Sequence, residues 1–484
     1  MTKNRLLLRL LISPVFIVGS ALPVQSLLAI DVGYDGYFRS RGNYFYDLQM
    51  DRGKTPKVRA FTDFRFRLNP SFYISDKIRV KSSLNFIDGV LGDNPFRSGP
   101  YNNPAQSYNK NLDPNEQEAV IGRTTGSTVT PYGGAYLPDG QVTSADLKPI
   151  QLRRLWGEFD FPYGTLKIGR MPNDFGMGIF ANAGDLPTQE VGSSRDRIML
   201  DTSFGPYYVR PGAGWLLEGS LDQSADDFYE YFLIFGRKQE RTDVGLYISY
   251  NGQDAYQPTP DTKASPSFVN AETAFWAIDF YFQNDFDLVN LSSEVVLFTG
   301  RMVGRSLLAI NTAGRVDWHF SSLKKFSLLT EAGYSSGTSV SDRQNGDLKT
   351  VPFSRDYDVS LLVFEEALPG GKTLRSSTGV PDNLPTAPHS GAVSNALYGR
   401  VKFGYEVASF FHPAVNVIFP YAAKEADSGG RFYGVEYDLL TQWPINHYFS
   451  AELDFAHFIP GSYYNNVSKE HSVLLFRGGV TAQF

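Results

Sequence analysis

From Ile30 to the last residue, apolar and polar side chains alternate with a period close to two, in segments separated by clusters of Gly, Asn, Asp and Pro. Successive side chains of a strand point to opposite faces, so this pattern predicts a long succession of half-apolar strands. In Ala60–Asn69, Thr62, Phe64, Phe66 and Leu68 share one face while Asp63, Arg65, Arg67 and Asn69 share the other. The next segment repeats the arrangement, with Ile78, Val80, Leu84 and Phe86 against Lys77, Arg79, Lys81, Ser83 and Asn85. Only Ser82 interrupts its apolar face.

Segment length separates two kinds of alternating protein. Strands of soluble sheets average about five or six residues, whereas a tilted strand crossing a membrane needs roughly nine to eleven. Thr273–Gln283, Leu288–Gly300, Leu307–His319, Phe326–Ser336, Leu397–Ala408 and Phe449–Phe458 are of the longer kind. Short turns at Pro162-Tyr163-Gly164, Asn284-Asp285 and Pro444-Ile445-Asn446 alternate with long polar connections at Leu91–Lys148, Pro172–Ser194, Asn251–Ala271 and Gly337–Asn395. Membrane barrels show this asymmetry, with short turns on the periplasmic side. About nineteen segments read as strands, but a barrel with both ends on one side needs an even number. Tyr357–Phe364 is the weakest, because as a spanning strand it would move a long connection to the short-turn end, and it is assigned to an external or inward-turned loop. About eighteen strands remain, in the range of barrels that enclose an aqueous channel.

Composition sharpens this picture. The 484 residues suffice for two or three globular domains or for one large barrel. With 28 Tyr and 37 Phe, 14% of the chain is aromatic, which suits many half-apolar strands. Beyond the N-terminus no apolar stretch approaches the roughly 20 residues of a spanning helix, so strands must carry any membrane crossing. The absence of Cys excludes disulfides and thiolate metal sites, and a formal charge of -6 argues against nucleic-acid partners. Lys3, Asn4 and Arg5 followed by apolar Leu6–Val18 read as a secretory signal with cleavage between Ala21 and Ala29. This divides the chain into a leader at 1–29 and one barrel at 30–484.

In the final strand Leu474, Phe476, Gly478, Val480, Ala482 and Phe484 share one face, while Arg477, Thr481 and Gln483 share the other. A terminal Phe closing such a strand resembles the assembly signal of bacterial outer-membrane barrels. Leu152–Gly178, reading LRRLWGEFDFPYGTLKIGRMPNDFGMG, resembles the strand-turn-strand, Gly-Arg and Gly-rich loop of porins and alginate-export-like barrels. A second patch, Glu331–Gly337 with Phe353–Phe364, resembles large aromatic-rich barrels of the same group. The resemblance implies an outer-membrane porin of a diderm bacterium, surrounded by lipid and lipopolysaccharide. It further implies engagement of the barrel-assembly machinery through the C-terminal strand and Phe484, and a monomer or homotrimer. It also implies a loop folded inward to narrow the channel, for which Pro172–Ser194 is the candidate, with Asp174 and Asp185 at the constriction.

The expected pore lining is Asp63, Arg65, Arg67, Lys77, Arg79, Lys81, Arg154 and Glu158 from early strands, and Glu406, Glu436, Asp438, Glu452 and Asp454 from late ones. A basic cluster facing an acidic one would set a transverse field favouring hydrated, dipolar solutes. Ion pairs that only brace the wall are the alternative. Tyr163, Phe286, Trp318, Trp443, Tyr448 and Phe458 suit interfacial girdles. The six His residues show no metal-binding spacing, Asp342, Asn345 and Asp347 read as solvated turn residues, and no nucleophile elbow is present. No catalytic residue, metal or cofactor is therefore expected. The sequence points to an all-β outer-membrane channel for passive diffusion of small hydrophilic solutes. Two alternatives remain at this stage: a polysaccharide export or uptake barrel along a basic ladder, and an adhesin or structural barrel plugged by its loops.

Overall fold

The computed structural model describes residues 30–48, 58–90, 150–217, 228–253, 273–302, 304–320, 325–339, 341–342, 345–365, 392–425, 430–464 and 472–484. The leader at 1–29 and the connection Leu91–Lys148 lie outside the described residues, as does nearly all of Asn251–Ala271.

The alternating segments form β1 (Asp31–Tyr46), β2 (Val58–Ser75), β3 (Ile78–Val90), β4 (Gln151–Phe161), β5 (Gly164–Pro172), β6 (Ser194–Phe204), β7 (Tyr207–Leu217), β8 (Phe228–Lys238) and β9 (Thr242–Gln253). They continue as β10 (Thr273–Asp285), β11 (Val289–Met302), β12 (Arg305–His319), β13 (Phe326–Ser335), β14 (Asp347–Leu348), β15 (Ala396–Tyr405), β16 (His412–Ala422), β17 (Gly434–Pro444), β18 (Phe449–Pro460) and β19 (Val473–Gln483). Each wall strand pairs antiparallel with its neighbours, and β13 pairs directly with β15. The two-residue β14 pairs in parallel with β12 and stands outside the ring. The ring closes where β1 pairs with β19, from Tyr37 opposite Gln483 to Tyr46 opposite Leu474. Eighteen strands thus make a closed barrel with no free edge, and Tyr357–Phe364 forms no strand.

All short connections but one fall at the same end. There β2 joins β3 through Asp76 and Lys77, β4 joins β5 through Pro162 and Tyr163, and β6 joins β7 through Gly205 and Pro206. The opposite end carries the long connections; its exception is the β11–β12 turn, where Gly304 takes a φ of 71°.

The outer faces present an apolar band that includes Leu233, Phe235, Ile310, Val401, Phe419, Leu439 and Val480. The interior departs from the uniformly polar lining that alternation predicts. Over β8–β12 the inward faces carry Phe232, Ile234, Phe275, Val296, Phe298 and Leu307, all buried. Phe175, Ile179 and Phe180 of the β5–β6 loop and Val351, Phe353, Leu362 and Phe364 of the β13–β15 loop belong to the same cluster. A segment folded into a barrel must bury its own apolar side chains, each worth about 1.5–3 kcal/mol when covered, so the wall beneath it is apolar too. The cluster continues to Tyr398, Ile418, Phe458 and Leu475, so the barrel contains a hydrophobic core with a polar space beside it.

Among the expected girdle aromatics, Tyr163, Phe286, Trp318 and Tyr448 are exposed, and Trp443 stacks on Phe411 at 5.4 Å. Phe458 is a correction. It shares the inward parity of Asp454 and Ala456 and is fully buried, with its ring edge-on to Tyr464 at 5.9 Å.

Candidate functional site in the lumen

Residues 173–193, between β5 and β6, lie inside the barrel and are fastened to its wall at both ends. At the start, Arg197 of β6 donates to Asn173 Oδ1 at 2.8 Å and to Glu230 of β8 at 2.7 Å, with its guanidinium 4.3 Å from the Phe232 ring centre. In the middle, the buried Glu294 carboxyl of β11 accepts the backbone N–H groups of Met177, Gly178 (3.0 Å) and Phe180 (3.2 Å). Gly176, with φ of 63°, makes this approach possible: a Cβ there would meet Glu294 Oε2 at 2.5 Å. Near the end, Arg67 donates to the Gly184 carbonyl at 2.9 Å, and Arg153 and Arg154 both donate to the Ala183 carbonyl. Adjacent residues of a regular strand face opposite sides. The register shift between β3 and β4 leaves Arg153 unpaired, so both arginines reach inward.

Residues 351–365 fold inward from the other side by the same device. The buried Glu436 carboxyl of β17 accepts the N–H groups of Leu361 (2.9 Å), Leu362 (2.8 Å) and Val363 (2.6 Å). Asn311 donates to the Val351 carbonyl at 3.0 Å, and Arg400 and Asn416 both donate to the Val359 carbonyl at 3.1 Å. The two loops are latched to each other. Asp356 accepts the N–H groups of Glu190 (2.7 Å), Val191 (3.0 Å) and Gly192, and Ser354 N–H donates to the Ile179 carbonyl at 2.7 Å.

Beside this latch lies a chamber of about 880 Å³, lined by β1–β3, β13, β15–β19 and the two loops. Glu190 sits at the junction, ion-paired with Arg39 (2.9 Å), Arg41 and Arg65 (3.2 Å). Its place deep in the barrel opposes ionisation, but the three guanidiniums outweigh this and hold its carboxyl down to about 2. Asp358 also faces the chamber from deep within the barrel. There the low-dielectric surroundings, then the neighbouring Asp356 carboxylate, push it up to about 6.

The expected pore residues fall into distinct places. Asp63 lies on the chamber wall against Arg39 at 3.0 Å and Arg41 at 3.5 Å, and Arg65 pairs with Asp88 at 2.9 Å. Arg79 and Lys81 pair with Glu158 at 3.1 and 3.2 Å, so these three brace the wall together. Arg154 pairs with Asp185 at 2.6 Å, and Asp174 accepts Ala183 N–H at 3.4 Å within the loop. Asp438, Glu452 and Asp454 line the chamber, as does Glu406 from the β15–β16 turn. Two placements are corrections. Lys77 occupies the two-residue β2–β3 turn, exposed at the barrel mouth, because the alternation runs past the strand's end. Glu436 is covered by the loop it anchors and does not line open space. Sequence reasoning passed over Arg39 and Arg41, although the alternation in β1 puts both on the face of Tyr37 and Asn43. Glu190 and Asp356 lie in loops where no period marks them. Among the described residues no group of three or more metal-binding side chains is placed to hold an ion.

A closed antiparallel barrel with an apolar outer band and a charged interior is the architecture of bacterial outer-membrane β-barrels, and the protein is of that class. No family model and no curated protein matches the chain. Among solved structures it is similar to the outer membrane protein opdK from Pseudomonas aeruginosa, at 11% identity and a TM-score of 0.49 over 93% of this chain and 99% of that one. OccAB3 of Acinetobacter baumannii matches at 10% identity and a TM-score of 0.49, covering 93% and 99%. The outer membrane channel DcaP of the same organism matches at 8% identity and a TM-score of 0.42, covering 94% and 97%. Similarity at this level assigns neither a solute nor a residue's role.

Proposed function

We propose that the protein is an outer-membrane channel through which small hydrophilic solutes diffuse, filtered by size at the loop latch and by charge along the chamber wall. The supporting observation is the off-centre lumen: the inward loops pack on the apolar part of the wall and leave a charged chamber of about 880 Å³ beside it. A low-dielectric wall focuses the field of ionised side chains into such a space. In this reading the short turns and both chain ends lie in the periplasm and the long connections outside. Arg39, Arg41, Asp63, Glu190, Asp438, Glu452 and Asp454 act as lining, and β19 with Phe484 engages the assembly machinery.

The second reading, a structural barrel plugged by its loops, is favoured by the latch itself, which ties the loops to each other and to opposite walls. Purified protein reconstituted in planar bilayers separates the two. Stable open steps in single-channel recordings support the channel. Silence from protein that still shows the heat-modifiable mobility of a folded barrel overturns it in favour of the plug.

A further inference from the structure

The walls of the chamber are not equally neutralised. Of the described side chains lining it, seven are Lys or Arg and ten are Asp or Glu, a formal balance of −3. On the β1–β2 side every carboxylate is spoken for: Asp63 and Glu190 by Arg39 and Arg41, Asp88 by Arg65. On the β17–β18 side, Asp438, Glu452 and Asp454 make no ion pair among the described residues. Their inward positions form a staggered column, Asp454 standing opposite Leu440 and Glu452 opposite Gln442.

The neighbouring cations are held off. Arg477 stands opposite Asp454 across β18–β19 yet donates its Nε to Asn43 of β1 at 3.0 Å. Arg400 is committed to Glu331 at 2.7 Å. Lys402 faces the same space near Asp438 and Asp454 and makes no ion pair among the described residues. Opposite Glu452 stands Gly479, whose missing side chain leaves that carboxylate uncovered; a Cβ there would meet Glu452 Oε1 at 2.7 Å.

The inner corner of this column carries an unmet acceptor. Asn416, opposite Asp438 in the β16–β17 register, donates its amide hydrogens to Asp438 Oδ2 at 2.8 Å and the Val359 carbonyl at 3.1 Å. This leaves Asn416 Oδ1 without a partner, on a side chain only 3% exposed, while Asp438, 2% exposed, has the neighbouring Glu436 carboxyl as its second partner. Buried polar atoms are ordinarily satisfied, and an amide oxygen accepts but cannot donate. Such an acceptor, backed by carboxylates that make no ion pair, is complementary to a cation bearing several N–H groups. A calcium ion would demand six to eight oxygens, whereas an ammonium brings three donors and a guanidinium five.

We infer that the β16–β18 wall, through Asn416, Asp438, Glu452 and Asp454, is a binding subsite for the amine or guanidine group of a permeating solute. The inference rests on the channel reading and gives the chamber a cation preference. Putrescine, a small diamine, serves as the probe. In bilayers with a salt gradient, the wild-type channel is expected to prefer cations and to show current interruptions that increase with putrescine concentration. The double variant E452Q/D454N, verified as a heat-modifiable barrel, is expected to need at least about tenfold more putrescine for the same block, the loss of a charge-assisted hydrogen bond. Lys402→Gln, which removes a competing ammonium, is expected to need less. An open channel that prefers anions, or one whose putrescine block is unchanged in E452Q/D454N, overturns the subsite and leaves the channel standing. If no current flows, the channel reading fails by itself. Calorimetric titration of putrescine into the folded protein in detergent then decides: binding lost in the double variant supports the subsite, and no binding to the wild type overturns it.

Discussion

At the scale of single residues, the chamber's charge is set by carboxyl groups of very different acidity. Glu190 among three arginines stays ionised down to about 2, so it contributes a constant negative charge at any physiological pH. Asp358, pushed up to about 6, does not. Below that value it is protonated and neutral, and as pH rises through it the chamber gains one negative charge. The expected outcome is a reversal potential in a fixed salt gradient that shifts toward cations between about pH 5 and 7. In Asp358→Asn the shift over the same interval should be smaller. Glu190→Gln should move the potential toward anions at every pH, while the loops stay latched, because Asp356 binds the backbone of residues 190–192 and not the Glu190 side chain.

At the scale of elements, Glu294 and Glu436 perform the same task on two different loops, each gathering three consecutive or nearly consecutive N–H groups. Replacing Glu294 with Ala leaves the Met177, Gly178 and Phe180 amides without an acceptor in an apolar setting, at about 1–3 kcal/mol for each unsatisfied group. The expected result is release of residues 176–180 from the wall, read as larger single-channel conductance with the β-sheet circular dichroism unchanged. The wall strands were legible because pleating writes burial into every second residue: Leu307–His319 was expected and Arg305–His319 is observed. Tyr357–Phe364 was excluded from the wall by parity, and the structure places it in an inward loop. The loop anchors were not legible, since Glu294 is one carboxylate in an ordinary alternation and Asp356 lies where there is no period. Arg153 was hidden by a bulge, which breaks the rule that assigns neighbours to opposite faces. Lys77 failed for the complementary reason, because alternation does not stop where hydrogen bonding does.

At the scale of the molecule, the barrel interior combines an apolar cluster, which runs over β8–β12 and on to β15–β19, with a charged chamber beside it. The seam between β1 and β19 borders the chamber through Arg39, Arg41, Asn43 and Arg477, and its outer face has packing of its own. Phe484 exchanges backbone hydrogen bonds of 3.1 Å with Gly36 and packs on Tyr34 and Phe66 at 6.4 and 6.0 Å. A Cβ on Gly36 would press on the Arg67 carbonyl and come within 3.0 Å of the Phe484 ring. Gly36→Val is therefore expected to destabilise the closed barrel by about 1–3 kcal/mol. The measurement is the temperature at which the compact electrophoretic band converts to the unfolded one, which should fall.

That seam also dictates the order of events in folding. Tyr37 finds Gln483 and Tyr46 finds Leu474, contacts that span nearly the whole chain. Hairpins can zip locally from β2 to β18, but the ring cannot close until β19 is available, so every earlier species is an open ribbon with two bare edges. Bare edges recruit other strands, and contacts this remote in sequence are slow to form. Seam closure, and not strand formation, is then the rate-limiting and aggregation-prone step, and a nascent chain of this protein needs an escort until its last strand reaches its first.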